Sequence, residues 1–276
     1  MDSEIKIKLS QNTLKGLDSI IDGKKIRNRE QAIEKLIHRA VCRENVKTAF
    51  ILAGGKGTRM RPFTYEMPKP LIPVQGRPLL QHILDLLGKY NIRNVIISTG
   101  YLPDKIKEYF GNGAKFGFDI TYVEEKEELG TAGALKLSKD LLKNTFVMFN
   151  GDILADVDLH DMADFHAKND GLATIALTPV EDPSRFGVAD LQGDRIMKFI
   201  EKPKHPVSNL INAGIYILEP EVLNYVPKGK AMMETDVFPK LAAEGKLCGY
   251  PYEGQWFDTG TYEAYENAIK NWKKVK

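Results

Sequence analysis

The sequence predicts an α/β fold, a mostly parallel sheet with helices on both faces, preceded by a small β-α-α module. Three observations lead there. From Lys47 onward, short apolar strands alternate with helical patterns, as in parallel sheets covered on both faces. The first of these strands, Ala49–Leu52, runs straight into the glycine-rich stretch Ala53-Gly54-Gly55-Lys56-Gly57-Thr58-Arg59-Met60-Arg61-Pro62. In such sheets ligands bind outside the carboxyl ends of the strands, so this stretch stands where a ligand belongs. The charge is also uneven: residues 1–48 hold 11 Lys/Arg and 7 Asp/Glu, a formal +4, while the whole chain carries +2. A basic N-terminal piece on a near-neutral body suggests two modules with different partners.

In chain order, residues 4–9 alternate polar and apolar and predict a half-buried strand. Ser10 is placed to cap a helix whose Leu14, Leu17, Ile20 and Ile21 share one face, and Asp22-Gly23 to end it. Asn28 caps a second helix over residues 29–43, with Ala32, Ile33, Leu36, Ile37, Ala40 and Val41 apolar. One strand and two helices make too small a core to stand comfortably alone. The order resembles the ribbon-helix-helix module, in which two chains pair their strands and outward side chains read the DNA major groove. Those side chains would be Glu4, Lys6 and Lys8. The alternative is a helical hairpin that only dimerises the rest of the protein.

From residue 47 the predicted strands are 48–52, 94–99, 119–123, 145–149, 172–178 and 212–218, with helices over Leu79–Tyr90 and Asp104–Phe110. The expected domains are therefore 1–46 and 47–276. Composition is ordinary for a globular protein, 43% hydrophobic and 28% charged, and no apolar run approaches the roughly 20 residues that span a bilayer. Met1–Lys6 lacks a signal-peptide core, and the two cysteines, Cys42 and Cys248, give neither a disulfide framework nor zinc spacing. A cytoplasmic protein without a membrane partner is expected. The five histidines show no ligand spacing.

Glycines let backbone N–H groups approach a polyphosphate closely. Arg59 and Lys69, the latter in Pro68-Lys69-Pro70, can neutralise charge that builds up in phosphoryl chemistry. Asp152 stands at the carboxyl end of the strand Phe146–Phe149, where a hard oxygen ligand suits Mg²⁺. Neither the Walker lysine nor the Rossmann Gly-x-Gly-x-x-Gly is present.

The stretch Leu52–Arg59 with Lys69-Pro70-Leu71 resembles the sugar-nucleotide pyrophosphorylases, the nucleoside triphosphate:sugar-1-phosphate nucleotidyltransferases. Further motifs follow in that family's order: Leu129-Gly130-Thr131-Ala132-Gly133, Asn150-Gly151-Asp152, Phe186-Gly187-Val188, Glu201-Lys202-Pro203, Asn212-Ala213-Gly214 and Trp256-Phe257-Asp258-Thr259-Gly260. Pro183–Val188, Phe199–Pro203 and Ser208–Leu218 look like the mannose-1-phosphate guanylyltransferase branch, although the chain ends shortly after Asp258, where many members continue into a left-handed β-helix.

The resemblance implies a GT-A-like nucleotidyltransferase fold with a Rossmann-like mixed sheet. It implies a reaction in which a sugar-1-phosphate oxygen attacks the α-phosphorus of a nucleoside triphosphate and pyrophosphate leaves. Two polyanions must meet, so the protein mainly positions groups and stabilises charge. Leu52, Ala53, Gly54, Gly55, Gly57, Thr58, Glu125, Gly130 and Thr131 are then expected at the nucleotide. Arg59 would grip the departing pyrophosphate with its planar fork and Lys69 would bridge the reacting phosphates. Glu201 and Asn212 would meet sugar hydroxyls, Lys202 the sugar's phosphate, the Gly187 N–H would add a further contact to the sugar phosphate, and Asp152 with Asp258 would hold Mg²⁺. The adjacent Glu201 and Lys202 serve one ligand only if the chain turns or bulges there.

Guanine offers N1–H and N2–H₂ donors on one edge, which a carboxylate accepts, whereas uracil or thymine suits an amide. Pyrimidine-using relatives carry Gln five residues before the glycine, and here that place is Glu125, so GTP is expected. Two other readings stay open: a glucose- or other hexose- or heptose-1-phosphate uridylyl- or thymidylyltransferase, and a DNA-binding regulator that senses nucleotide sugars. A homo-oligomer, dimer or higher, is expected.

Overall fold

The computed structural model describes residues 7–21, 27–33, 36–37 and 46–275. The chain divides into two compact units, Met1–Glu44 and Asn45–Lys276.

In the first unit a helix spans Gln11–Ser19, and Ser10 caps it by accepting from the Thr13 N–H at 3.2 Å. Residues 29–33 and 36–37 are helical, and Asn28 Oδ1 accepts from the Gln31 N–H at 2.9 Å. Leu17 and Ala32 are buried, with Leu14, Ile20, Ile21 and Ile33 packed around them. Residues 7–9 are not paired into a strand within this one chain, where a lone extended segment has no ladder partner; Glu4 and Lys6 lie outside the described residues, and Lys8 is exposed. Leu36 and Ile37, two of the apolar positions of the second predicted helix, are exposed. Asp22-Gly23, Ala40 and Val41 lie outside the described residues.

The second unit is built on a nine-stranded sheet. Its strands are β1 (Thr48–Ala53), β4 (Asn94–Thr99), β5 (Asp119–Glu124), β6 (Phe146–Asn150), β8 (Ala173–Pro179), β9 (Gly187–Gln192), β10 (Arg195–Glu201), β11 (Leu210–Leu218) and β12 (Leu247–Pro251). Two short pairs stand apart, β2 (Pro73–Val74) with β3 (Arg77–Pro78), and β7 (Ile153–Ala155) with β13 (Trp256–Asp258). The sheet order is β5-β4-β1-β6-β11-β8-β12-β10-β9.

All six predicted strands are present to within two residues at either end, and the predicted helices appear as Leu79–Lys89 and Pro103–Phe110. The expectation of a mostly parallel sheet holds for half of it. β5, β4, β1 and β6 run parallel, but β11 is antiparallel to both β6 and β8, and β9 and β10 pair antiparallel. The cause is connectivity. Only two residues separate β9 from β10, and a tight hairpin returns the chain antiparallel, whereas a parallel return needs a crossover.

The central strands are apolar on both faces. Ala49, Ile51, Val147, Phe149, Ile215 and Ile217 enter one buried layer; Phe50, Phe146, Met148, Tyr216 and Leu218 enter the other. Period-two alternation thus sends successive residues into two cores, which is why these segments read as unbroken apolar runs. A third cluster, including Met60, Leu154 and Trp272, packs the C-terminal helix Tyr262–Asn271 against the segment around Arg59.

Candidate active site

β1 and β6 are parallel neighbours with Leu52 opposite Asn150, so the glycine loop and Asn150-Gly151-Asp152 leave the sheet at the same edge. The Gly151 N–H donates to the Leu52 carbonyl at 2.9 Å and locks the two loops together. β13 pairs with β7 so that Asp258 lies opposite Ile153, which carries Asp258 alongside Asp152. Thr259 fixes that approach, its N–H and hydroxyl both donating to the Asp152 carbonyl, at 3.0 and 2.8 Å. Pro68 and Pro70 flank Lys69 in a single 3₁₀ turn, and its Nζ reaches Asp152 Oδ2 at 2.5 Å. Arg59 follows the glycines on the turn Thr58–Met60.

The charges here are strongly unbalanced by burial. Burial raises the Asp152 carboxyl, but the charge and hydrogen bond of Lys69, aided by Arg59, outweigh it and hold the group below its usual range. Asp258 goes the other way. Its burial and then the negative charge of Asp152 push it up, although Lys69, the Gly260 N–H at 2.7 Å and Arg59 oppose this. Lys69 bonds one of the two carboxylates directly, and Arg59 acts on both through its charge. Among the described residues no group of three His, Cys, Asp or Glu side chains is placed to hold a metal ion. Two aspartates beside an open cavity instead fit a hard cation that takes one or two protein carboxylates and completes its shell with water and phosphate oxygens.

Two cavities meet at this point. The first, about 440 Å³, is lined by Leu52, Ala53, Gly54, Gly55, Gly57, Thr58, Lys69, Glu125, Gly130 and Thr131. The second, about 450 Å³, is lined by Gly187, Glu201, Lys202, Asn212 and Asp258. Arg59, Asn150, Asp152 and Met232 line both. Apart from Glu4, Lys6 and Lys8, every residue that the sequence singled out for the site therefore lines one of two adjoining cavities. Arg61 lines neither; its guanidinium lies over the Tyr65 ring, 5.1 Å from the centroid.

Local geometry explains several residue types. A Cβ on Gly54 would fall 2.5 Å from Glu125 Oε1, so glycine there lets the carboxylate rest against the loop without shifting. Glu125 is held by the Ser98 hydroxyl at 2.7 Å and the Leu129 N–H at 3.3 Å. Lys202 adopts a left-handed backbone, φ 47°, which is the turn that its pairing with Glu201 required. Asn212 Oδ1 accepts from the Gly214 N–H at 2.9 Å while its Nδ2 donates to the buried Tyr216 hydroxyl at 3.0 Å.

One expected nucleotide contact is otherwise engaged. The Thr131 hydroxyl donates to Glu234 Oε2 at 2.7 Å and accepts from the Met233 N–H at 2.8 Å, so its side chain faces the second cavity's wall. Sequence reasoning missed Asn150, Met232, Trp256 and Glu234 as lining residues. Asn150 carried a signal, two positions before Asp152, and its Oδ1 is buried with no hydrogen-bond partner among the described residues. Trp256 donates its ring N–H to the Ala213 carbonyl at 2.9 Å and walls the second cavity. Glu234 lies on a five-residue π turn, Met233–Val237, outside any recognisable motif.

With this geometry in hand, comparison with known proteins is direct. The profile of the nucleotidyl transferase family matches residues 48–275. A mannose-1-phosphate guanylyltransferase of Mycobacterium tuberculosis is 40% identical over 222 residues, covering 79% of this chain and 62% of that protein. The mannose-1-phosphate guanylyltransferase catalytic subunit beta of Danio rerio is 39% identical over 218 residues, covering 77% and 61%. The chain thus spans about three fifths of the length of these curated relatives. A crystal structure assigned as a glucose-1-phosphate thymidylyltransferase from Bacillus anthracis, bound to sucrose, superposes with a TM-score of 0.76 at 30% identity, covering 81% of this chain and 94% of that one. On the extent of these matches, the chain belongs to the nucleotidyl transferase family.

Proposed function

We propose that this chain joins a sugar 1-phosphate to a nucleoside triphosphate and releases pyrophosphate, with mannose 1-phosphate and GTP as substrates. The observation that carries this reading is the junction of the two cavities, where Lys69, Arg59, Asp152 and Asp258 converge. A triphosphate in the first cavity and a sugar phosphate in the second bring their phosphates together at that junction.

Lys69 Nζ, released from Asp152, bridges the α-phosphate and the incoming phosphate, offsetting the repulsion between two anions. Arg59 presents its fork to the β- and γ-phosphates and to the leaving pyrophosphate. The glycine loop supplies main-chain N–H donors without side-chain bulk. Asp152 and Asp258 would hold Mg²⁺, which when bound neutralises charge on the leaving group. In the second cavity Glu201, Asn212 and the Gly187 N–H orient the sugar, and Lys202 takes its phosphate. The Glu125 carboxylate on the wall of the first cavity supports guanine, and relatives named for mannose 1-phosphate support the sugar.

The Bacillus anthracis likeness supports a second reading, a glucose-1-phosphate thymidylyl- or uridylyltransferase. A grid of GTP, ATP, CTP, UTP and dTTP against mannose, glucose, glucosamine and heptose 1-phosphates, read as pyrophosphate release with Mg²⁺, separates the two. No release with any pair removes the enzymatic reading. That outcome favours a DNA-binding regulator, whose contacts would be Glu4, Lys6 and the exposed Lys8. Salt-sensitive duplex binding tests that role, and its absence at low salt leaves the N-terminal unit as a dimerisation element. No helix among the described residues is long and apolar enough to cross a membrane. A cytoplasmic homo-oligomer fits this reading.

A further inference from the structure

The mouth of the first cavity carries an ion pair that the roles above leave unused. Lys56 Nζ lies 3.0 Å from Glu128 Oε1. Lys56 stands at the tip of the glycine loop, and Glu128 lines the cavity from the facing segment, residues 125–130. The two side chains are 53% and 54% exposed, so the contact sits on the rim where the cavity meets solvent. The segments it joins are held unequally. In the facing segment the Glu125 N–H donates to the Thr99 carbonyl at 2.7 Å, its carboxylate accepts from Ser98 and Leu129, and the Leu129 carbonyl accepts from the Ala231 N–H at 2.8 Å. The glycine loop is tied at its ends: the Gly54 carbonyl accepts from the Tyr101 N–H at 3.1 Å, and the Gly57 carbonyl from the Thr64 hydroxyl at 2.8 Å. Gly55 and Lys56 form the span between these ties, and a Cβ on Gly55 would meet open space. A glycine in open space restrains the chain little, so the tether comes from the Lys56 side chain. The hydrogen bond and charge of Lys56, and then the charge of Lys230, hold the Glu128 carboxyl below its ordinary value, against desolvation.

We infer that Lys56 and Glu128 are a positioning pair for the nucleoside triphosphate: their ion pair fastens the phosphate-facing glycine loop to the base-facing segment 125–130 across the rim of the first cavity. The inference rests on the nucleotidyltransferase reading and assigns neither side chain to the substrate directly. In that reading the base lies against Glu125 and the phosphates against the glycine N–H groups, so one ligand touches both segments. Segments already held at a fixed spacing have less freedom to lose when the ligand arrives, and the complex gains by that difference. The same pair also lets the ligand in and out. An exposed ion pair contributes little and is screened by salt, so it parts readily for entry and forms again over the bound triphosphate. While bonded to Glu128, Lys56 does not serve as a further phosphate cation; Arg59 and Lys69 already stand in that cavity for that purpose.

The test is a double-mutant cycle on nucleotide release. N-methylanthraniloyl-labelled GTP, ATP, CTP, UTP and dTTP are screened with Mg²⁺ against the wild type, and the tightest binder is used throughout. Lys56→Gln and Glu128→Gln should each speed its dissociation about threefold. The double variant should also release about threefold faster, because the second change removes nothing that the first has left. In steady-state assays KM for the triphosphate should rise about threefold in each variant, while kcat and KM for the sugar phosphate stay within about twofold. Urea unfolding midpoints should stay at the wild-type value; midpoints that fall together with retention of the nucleotide would make the pair merely structural and overturn the inference. A roughly ninefold effect in the double variant would mean that Lys56 and Glu128 contact the nucleotide independently, and it overturns the inference, as do single variants that release at the wild-type rate. If the wild type binds none of the labelled triphosphates, the nucleotidyltransferase reading fails and this inference falls with it; tight binding with multiplying effects sinks the inference and leaves that reading standing.

Discussion

Neutralising the two neighbouring aspartates should move stability in opposite directions. Asp258 has its folded-state carboxyl raised, by burial and then by the charge of Asp152. A group raised on folding binds its proton more tightly in the native state, so its ionisation at neutral pH costs stability. Asp258→Asn removes that cost and keeps an oxygen for the Gly260 N–H at 2.7 Å. The expected gain is about 1 kcal/mol. It is complete above the raised pKa and absent below the unfolded value of about 4. Asp152 has its carboxyl lowered despite burial, because Lys69 bonds it at 2.5 Å. Its ionisation therefore stabilises the fold above the unfolded pKa, and that contribution fades as pH falls through the lower, folded one. The side chains of Lys69 and Asp152 are 11% and 29% exposed, so solvent screens the pair only in part. Asp152→Asn should cost about 2 kcal/mol, the range of a charge-assisted hydrogen bond with one charge removed. Urea unfolding at pH 7 in EDTA, which keeps metal binding out of the comparison, reads both values. Both variants should lose at least a hundredfold in turnover while remaining folded. Shifts of the same sign in the two variants would refute the reasoning about how this pair shares its charge.

The remaining predictions follow from single contacts. Glu125→Gln keeps an acceptor for the Ser98 hydroxyl, gives up the Leu129 N–H bond and offers the base an N–H, so the preference for GTP over UTP should fall about tenfold in competition assays; an unchanged preference moves base reading elsewhere. Gly187→Ala puts a Cβ 2.4 Å from Phe199 Cζ and 2.9 Å from Glu201 Oε2; it should cost about 1–3 kcal/mol in urea unfolding and raise KM for the sugar phosphate, not for the triphosphate. Chelation with EDTA should abolish pyrophosphate release and Mg²⁺ should restore it, and turnover persisting in EDTA would remove the metal assignment.

The parallel half of the sheet was legible because β1, β4, β5 and β6 are short apolar runs spaced by amphipathic helices, a pattern that leaves few alternatives. The antiparallel half was not. Strand direction there depends on where the β9–β10 hairpin docks and on β11 pairing with both β6 and β8, and no local pattern encodes which strand a segment will lie beside. Site residues inside motifs were legible for a related reason: glycines, a proline-flanked lysine and strand-end aspartates have few structural reasons to recur together. Glu234 lay on a turn without such a pattern, so only its hydrogen bond to Thr131 places it. The same bond redirects Thr131, whose hydroxyl the sequence alone would have pointed at a nucleotide.

By itself, the sequence marked the groups from which a site could be built: a glycine-rich loop, two basic side chains and two carboxylates, one of them at the end of an apolar strand. Which of those groups touch was decided by the tertiary structure. The pairing of β13 with β7 closes a gap of about a hundred residues between Asp152 and Asp258; burial raises both carboxyls, and the Lys69 contact to Asp152 splits them by lowering that one. Chemical type is a property of each side chain and survives in a linear string. Distance and desolvation are properties of the packed chain and exist only once the strands have found their neighbours.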